Sequence, residues 1–181
     1  GWQNDSSVEE DPAAAAEIQK LADSDYVDTF DCYDDLLTWC LSEPVISKLN
    51  MTTKTVGDKT NRRLIMGCLT SGANGMTIQK ERILLPRFAD LIYDVLALME
   101  RSGDGKDTVF PALDSVDAFF RVPLCHEERQ YFVIEYAGKF LRWDRVAQGS
   151  VSGPQLFGRL AALMGRLTRS TFDVDRNRLH N

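Results

Sequence analysis

The chain has 181 residues, of which 44% are hydrophobic, with 27 acidic and 21 basic residues. This length and apolar content suffice for one compact domain or two small subdomains that share a core. Its longest apolar runs, such as residues 91–99, are far shorter than the about 20 residues that cross a bilayer, so we expect no membrane span. The chain starts without Met, a basic leader or a signal-like apolar stretch. This start predicts an excerpt of a longer intracellular protein, cytoplasmic or nuclear.

Acidic and basic residues are segregated along the chain. Residues 1–43 carry 12 acidic residues and one lysine, a balance of −11, whereas residues 44–181 carry 15 acidic and 20 basic residues, a balance of +5. A mildly basic body is compatible with phosphate contacts, which rest on lysine and arginine. The sequence therefore predicts an acidic leader over residues 1–42, flexible or loosely attached as a helix, and a globular body over residues 43–181.

The first half of the body shows one strand signal and one helix signal. Polar residues 52–61 precede the apolar run 64–66, which indicates a turn leading into a short strand. From Pro86, apolar residues recur every three or four positions up to about Arg101. That spacing is the period of an amphipathic helix.

An extended segment, a hairpin and a second helix follow. Residues 109–124 are apolar around a central acidic patch, and we expect them to be extended. Two aromatic-rich runs, 131–136 and 139–143, are separated by two residues of which the second is Gly, a strong hairpin signal. Residues 148–150 are a loop, and Pro154 suits the first turn of the helix after it. The pattern predicts an α+β fold with an antiparallel sheet and packed helices.

Three stretches resemble, in order, motifs of retroviral and retrotransposon reverse transcriptases. Residues 109–124, VFPALDSVDAFFRVPL, resemble the first palm motif, in which an apolar strand delivers an aspartate that a small and an aromatic residue follow. Residues 147–157, AQGSVSGPQLF, resemble the second palm motif, a Gln-Gly loop that opens into a helix. The hairpin between them resembles the fingers ribbon, and residues 81–87 resemble the segment before the first palm motif. The resemblance covers about residues 43–181 and implies the fingers and an incomplete palm.

The resemblance implies roles in nucleotidyl transfer, a reaction that uses two Mg²⁺ ions. Asp114 would be the catalytic carboxylate and first metal ligand, and the backbone carbonyl of Ser115 would add to the nucleotide-side ion. Phe119 falls at the steric gate, whose ring excludes a 2′-hydroxyl and so favours deoxynucleotides. The implied nucleotide-binding residues are Asp117, Ala118, Phe119, Gln148 and Gly149.

Each of these residues also has an ordinary structural interpretation. Asp117 is equally suited to capping the turn that follows it. Phe119 is of the type that fills the core of an apolar strand, and Gln148 with Gly149 forms a common turn. An Asp-x-x-Asp pair alone is a weak motif with a high rate of chance matches.

The chain departs from the family in two places. The fingers aspartate and the basic residue that clamps the triphosphate are replaced by Gly67 and Leu69. Arg62 and Arg63 are left as candidate phosphate contacts, with a solvated strand edge as the alternative. The second palm carboxylate pair, aromatic-x-Asp-Asp, is not found up to Asn181, so we expect the chain alone to be inactive.

The leading hypothesis is a fragment of an RNA-directed DNA polymerase of a retroelement, whose partners are a template-primer and deoxynucleoside triphosphates. The alternative is a decayed or repurposed polymerase fold that binds nucleic acid or a protein without catalysis. We expect Asp114 to lie on a central strand close to the Gln148 loop, with the helices from Pro86 and Pro154 on one face of that sheet. The sequence leaves the oligomeric state open.

Overall fold

The computed structural model describes residues 4, 6–82, 87–102 and 114–172. The chain divides into two compact units, one formed by Gly1–Lys80 with Asp117–Asn181 and the other by Glu81–Val116. The described residues combine helices with small sheets, so the predicted mixed α+β class is confirmed. Among these residues, none of the helices has the length and hydropathy needed to cross a bilayer.

The acidic leader forms regular structure within the first unit. Its elements are α1 (Ser6–Glu9), α2 (Pro12–Asp23), β1 (Val27–Phe30) and α3 (Tyr33–Thr38). The Asp11 side chain accepts a hydrogen bond from the Ala13 N–H at 2.8 Å, which caps α2.

Apolar side chains of the leader enter the core of this unit. Ala14, Ile18 and Leu21 recur at helical spacing on α2 and are buried. Val8 is completely buried, and so is Leu36 on α3. The described leader residues therefore belong to the same unit as the sheets, and mobility of the leader in solution stays a prediction.

A four-stranded sheet forms the centre of the first unit. It contains β1, β2 (Ile46–Ser47), β5 (Val133–Tyr136) and β6 (Lys139–Trp143) in the order β1-β6-β5-β2. Neighbouring strands are antiparallel except for β2 and β5. Ala137 and Gly138 connect β5 to β6 with positive φ angles of 51° and 75°, as a type I′ turn requires. The predicted hairpin is confirmed.

Strands β3 (Leu49–Val56) and β4 (Lys59–Met66) form a two-stranded ribbon that is distinct from the β5–β6 hairpin. The sequence predicted only a short strand at residues 64–66, but the pairing runs from Leu49 opposite Met66 to Val56 opposite Lys59. The sequence underestimated the length of the strands because their outer halves are threonine-rich and exposed, and no alternation of apolar residues marks them. The base of the ribbon enters the core through Leu49 and Met66, and Met51 and Leu64 pack against that core.

The remaining helices are α4 (Ala73–Met76), α5 (Phe88–Ser102), a 3-10 helix η1 (Ala118–Arg121), α6 (His126–Arg129) and α7 (Gly153–Phe172). The helices predicted after Pro86 and Pro154 are confirmed as α5, in the second unit, and α7, in the first. Their packing on one face of a common sheet stays a prediction.

The extended segment predicted at residues 109–124 is corrected in its described part. Asp114 and Ser115 lie outside any strand, and residues 118–121 form η1. Asp117 interrupts the extended path because its φ of 55° turns the chain into η1. Residues 109–113 lie outside the described residues.

Candidate active site

Asp117 begins the part of the first palm-like stretch that belongs to the first unit. It occupies the position before η1 with a left-handed backbone, and its side chain makes no capping hydrogen bond. The left-handed conformation costs a non-glycine residue about 1–2 kcal/mol. The carboxylate is therefore not used as the cap that the ordinary interpretation suggests. Such strained backbone positions cluster at functional sites.

Phe119 lies against the beginning of α7. Its ring centroid is 6.3 Å from that of Phe157 in an edge-on arrangement, and a side chain built on Gly153 would meet the Phe119 ring at 3.8 Å. Phe119 and Ala118 are half-buried. The structure thus brings Ala118 and Phe119 to the helix that follows the Gln148 loop.

The Gln148 loop is fastened to the end of the ribbon. The Gln148 carbonyl accepts a hydrogen bond from the Met66 N–H at 2.8 Å. Gly149 has a φ of 112°, and a Cβ at this position would overlap the Met66 carbonyl. Close packing against β4 therefore requires a glycine at position 149. The same contact leaves Gln148 half-buried.

A residue without any sequence signal holds the other side of this loop. The Asn74 amide donates to the Gly149 carbonyl at 3.0 Å and accepts from the Val151 N–H at 2.9 Å. Gln79 also donates to the Val151 carbonyl at 2.8 Å. The glycines at positions 72 and 75 make residues 71–75 look like a simple loop between two secondary-structure elements. The sequence alone therefore gave no reason to single out Asn74.

The two candidate arginines lie on opposite faces of the ribbon. Arg62 pairs with Thr53 and Arg63 with Thr52, and both arginines are exposed. Arg63 is two residues from Ile65 and shares its face, because side chains alternate along a strand. Ile65 is the residue whose Cγ2 lies 3.3 Å from a Cβ built on Gly149. Arg63 therefore lies on the loop side of the ribbon, and Arg62 on the other.

Gly67 and Leu69 are the positions that the resemblance matches to the fingers aspartate and to the basic triphosphate clamp. A Cβ on Gly67 would lie 3.0 Å from the Thr70 hydroxyl and 3.1 Å from the Lys48 carbonyl, so a larger side chain would displace its neighbours. The Gly67 N–H donates to that Lys48 carbonyl at 2.7 Å. Leu69 is 80% exposed. Neither a carboxylate at position 67 nor a basic side chain at position 69 is therefore present.

Asp114 and Ser115 belong to the second unit. The Asp114 side chain is exposed, and its distance from the Gln148 loop stays a prediction. A carboxylate beside a backbone carbonyl offers the hard oxygen ligands that suit Mg²⁺. Across residues 4, 6–82, 87–102 and 114–172, no three metal-ligating side chains form a group. The donors at Asp114 and Ser115 fit part of one ion site.

The cysteine side chains are free thiols. Burial raises the pKa of the Cys68 thiol to about 11, which disfavours the thiolate. The pKa of the exposed Cys125 is also raised, first by partial burial and then by a hydrogen bond with Glu128 and the charge of that residue. A nucleophilic cysteine needs a lowered pKa, so these two thiols are poor candidates for catalysis.

A separate cavity of about 540 Å³ opens beside β1, α3 and α6. The buried Arg142 forms part of its lining and donates to the Trp39 carbonyl at 2.6 Å and to Asp28 at 2.8 Å. Its guanidinium also lies over the rings of Phe30 and Trp39, 5.4 and 6.0 Å from their centroids. The protein's own arginine therefore occupies the aromatic surface of this cavity.

The chain matches no protein-family model and no curated protein.

Proposed function

We propose that the chain is the fingers and front palm of an RNA-directed DNA polymerase of a retroelement. The single observation that carries the proposal is the packing of Phe119 on the first turn of α7. This contact joins the two palm-like stretches, since Phe119 and Phe157 are 38 positions apart in sequence, and both stretches would have to face one nucleotide. The resemblance of the motifs, in the same order, supports the same conclusion.

In this proposal each residue has a defined task. Asp114 would be the first metal ligand, and the Ser115 carbonyl would add to the nucleotide-side ion. Of the two Mg²⁺ ions, one would activate the primer 3′-hydroxyl and the other would hold the triphosphate. The Phe119 ring would lie under the incoming sugar and exclude a 2′-hydroxyl. Gln148 would border the base pair being formed. Arg63 is the better candidate than Arg62 for a phosphate contact, because it lies on the loop side of the ribbon.

A second function is favoured by the two altered positions in the fingers. A carboxylate side chain at Gly67 would press on the Thr70 hydroxyl and the Lys48 carbonyl, and Leu69 exposes an apolar side chain where the family has a basic one. A polymerase fold that has lost catalysis and retains binding of nucleic acid would tolerate both changes. In that case the basic residues of the ribbon would still contact phosphates.

Primer extension distinguishes the two functions. We expect the 181-residue chain to show no extension of a DNA primer on an RNA template with Mg²⁺ or Mn²⁺, since one carboxylate with a carbonyl is too few ligands for two ions. A longer version that continues through the coding sequence after residue 181 should incorporate deoxynucleotides. If the longer version binds the primer-template but extends nothing, the second function is the correct one.

The active longer version then tests Phe119. Phe119→Val should keep incorporation of dTTP and raise that of UTP at least about tenfold, since loss of a steric clash is worth a kcal/mol or more in selectivity. Phe120→Val is the matched control, because Phe120 stacks on Tyr26 with ring centroids 5.1 Å apart. This control should lower the melting temperature and leave the ratio of dTTP to UTP unchanged. An unchanged ratio in Phe119→Val would remove the gate assignment.

A further inference from the structure

The Asn74 side chain pairs with the Gln148 loop as a strand edge would. Its amide nitrogen donates to the Gly149 carbonyl, and its amide oxygen accepts from the Val151 N–H. Both groups belong to one stretch of backbone, two residues apart. A single side chain thereby fixes the position and the orientation of the loop, whereas one hydrogen bond would leave it free to rotate.

Asn74 is itself held in place by its backbone. Its N–H donates to the Cys68 carbonyl at 2.9 Å, and Cys68 is completely buried. Gly72, which precedes α4, has a φ of 86°, a conformation that glycine adopts without strain. The side-chain amide that binds the loop is therefore anchored to the buried backbone that follows β4.

The loop is therefore held by hydrogen bonds on two sides. On one side the Met66 N–H donates to Gln148, and on the other Asn74 binds Gly149 and Val151. Gln79 adds a third attachment at Val151. Of these partners, Asn74 is the one whose side chain makes two bonds, so its loss should release the loop more than any other single truncation.

We infer that Asn74 is a positioning residue that locks the Gln148–Gly149 loop to the end of the ribbon, and so holds Gln148 at the incoming nucleotide. The nucleotide half of this inference rests on the proposed function, whereas the lock itself does not. Asn74 touches neither substrate nor metal in this scheme and acts through the loop. Its truncation should therefore weaken nucleotide binding and leave binding of the primer-template intact.

Hydrogen exchange of the 181-residue chain tests the lock without any substrate. Asn74→Ala should speed exchange in the peptide spanning residues 147–152 about tenfold, since losing hydrogen bonds to the loop costs a kcal/mol or more. Gln79→Ala removes one bond and should have a smaller effect. Gln19→Ala is the matched control, because it removes an amide hydrogen bond to Asp23 within α2 and should leave this peptide unchanged. Unaltered exchange in Asn74→Ala would overturn the lock.

Nucleotide binding tests the positioning role. The probe is dTTP with Mg²⁺, added to the chain loaded with oligo(dT) on poly(rA). Asn74→Ala should raise the Kd for dTTP about tenfold and change the Kd for the primer-template by less than about twofold. If exchange is faster but dTTP binds both proteins equally, the positioning role is wrong. If the unmutated chain binds no dTTP, the positioning role fails, while the exchange experiment still decides the lock and primer extension by the longer version still decides the proposed function.

Discussion

The acidic leader and the β3–β4 ribbon show opposite relations between composition and packing. The leader has the composition of a solvated arm, yet Val8 and Leu36 are completely buried. The ribbon consists of two long paired strands, yet residues 52–58 are exposed. The net charge of a segment therefore does not tell whether the segment packs into the core. Packing depends on a few apolar residues at regular spacing. The leader stabilises the unit, and the ribbon is left free to contact a ligand.

The largest effect is expected in the leader. Leu36→Ala should lower the free energy of unfolding by about 2–5 kcal/mol, because it empties a completely buried site next to Ile46 and Val133. The neighbouring Leu37 is 37% exposed, and Leu37→Ala should cost clearly less. Urea denaturation followed by circular dichroism measures both. Equal small losses would mean that the leader is not part of the folded unit.

The next effect concerns the base of the ribbon, where it meets the Gln148 loop. Gly149→Ala should destabilise the protein by about 2–4 kcal/mol, since it combines a strained φ with overlap on the Met66 carbonyl. Gly138→Ala is the control. Gly138 also has a positive φ, of 75°, but a Cβ there would meet open space, so its cost should be about 1 kcal/mol. Equal melting temperatures of the two variants would contradict the close contact.

The smallest effect distinguishes the two faces of the ribbon. Arg63→Ala should weaken binding of an RNA–DNA primer-template several-fold and reduce the salt slope by about one, as expected for one lost phosphate contact. Arg62→Ala, on the opposite face, should change both less. Fluorescence anisotropy at several salt concentrations measures the slopes. Equal losses would show that the ribbon binds through charge alone, without a preferred face.

The sequence predicted the elements whose signals are local. The hairpin of β5 and β6 follows from a two-residue turn between aromatic runs, and α7 follows from Pro154 and the helical spacing after it. The short strand at residues 64–66 was found because it is apolar, while the rest of the ribbon lacks alternation. The turn at Asp117 was weighed only as an alternative to an extended segment, because a single left-handed residue leaves no periodic signal.

The residues of the candidate site could be predicted only where they belong to a recognisable sequence motif. Phe119 and the Gln148 loop were singled out by resemblance, and the structure adds that Phe119 packs on the helix that follows this loop. Asn74 depends on tertiary contact between residues more than 70 positions apart, which no local pattern encodes. The opposite faces of Arg62 and Arg63 depend on strand register, which became known only with the pairing of β3 and β4.

The most direct test of the polymerase assignment is primer extension by the longer version with Asp114→Asn. This change removes the charge of the proposed first metal ligand and keeps the size of the side chain, so extension should fall about a hundred- to a thousandfold, as for other groups that stabilise a transition state. Asp94→Asn, an exposed aspartate of α5 in the same unit, should retain full activity. Normal extension with Asp114→Asn would contradict the assignment of the catalytic carboxylate and the proposed function with it.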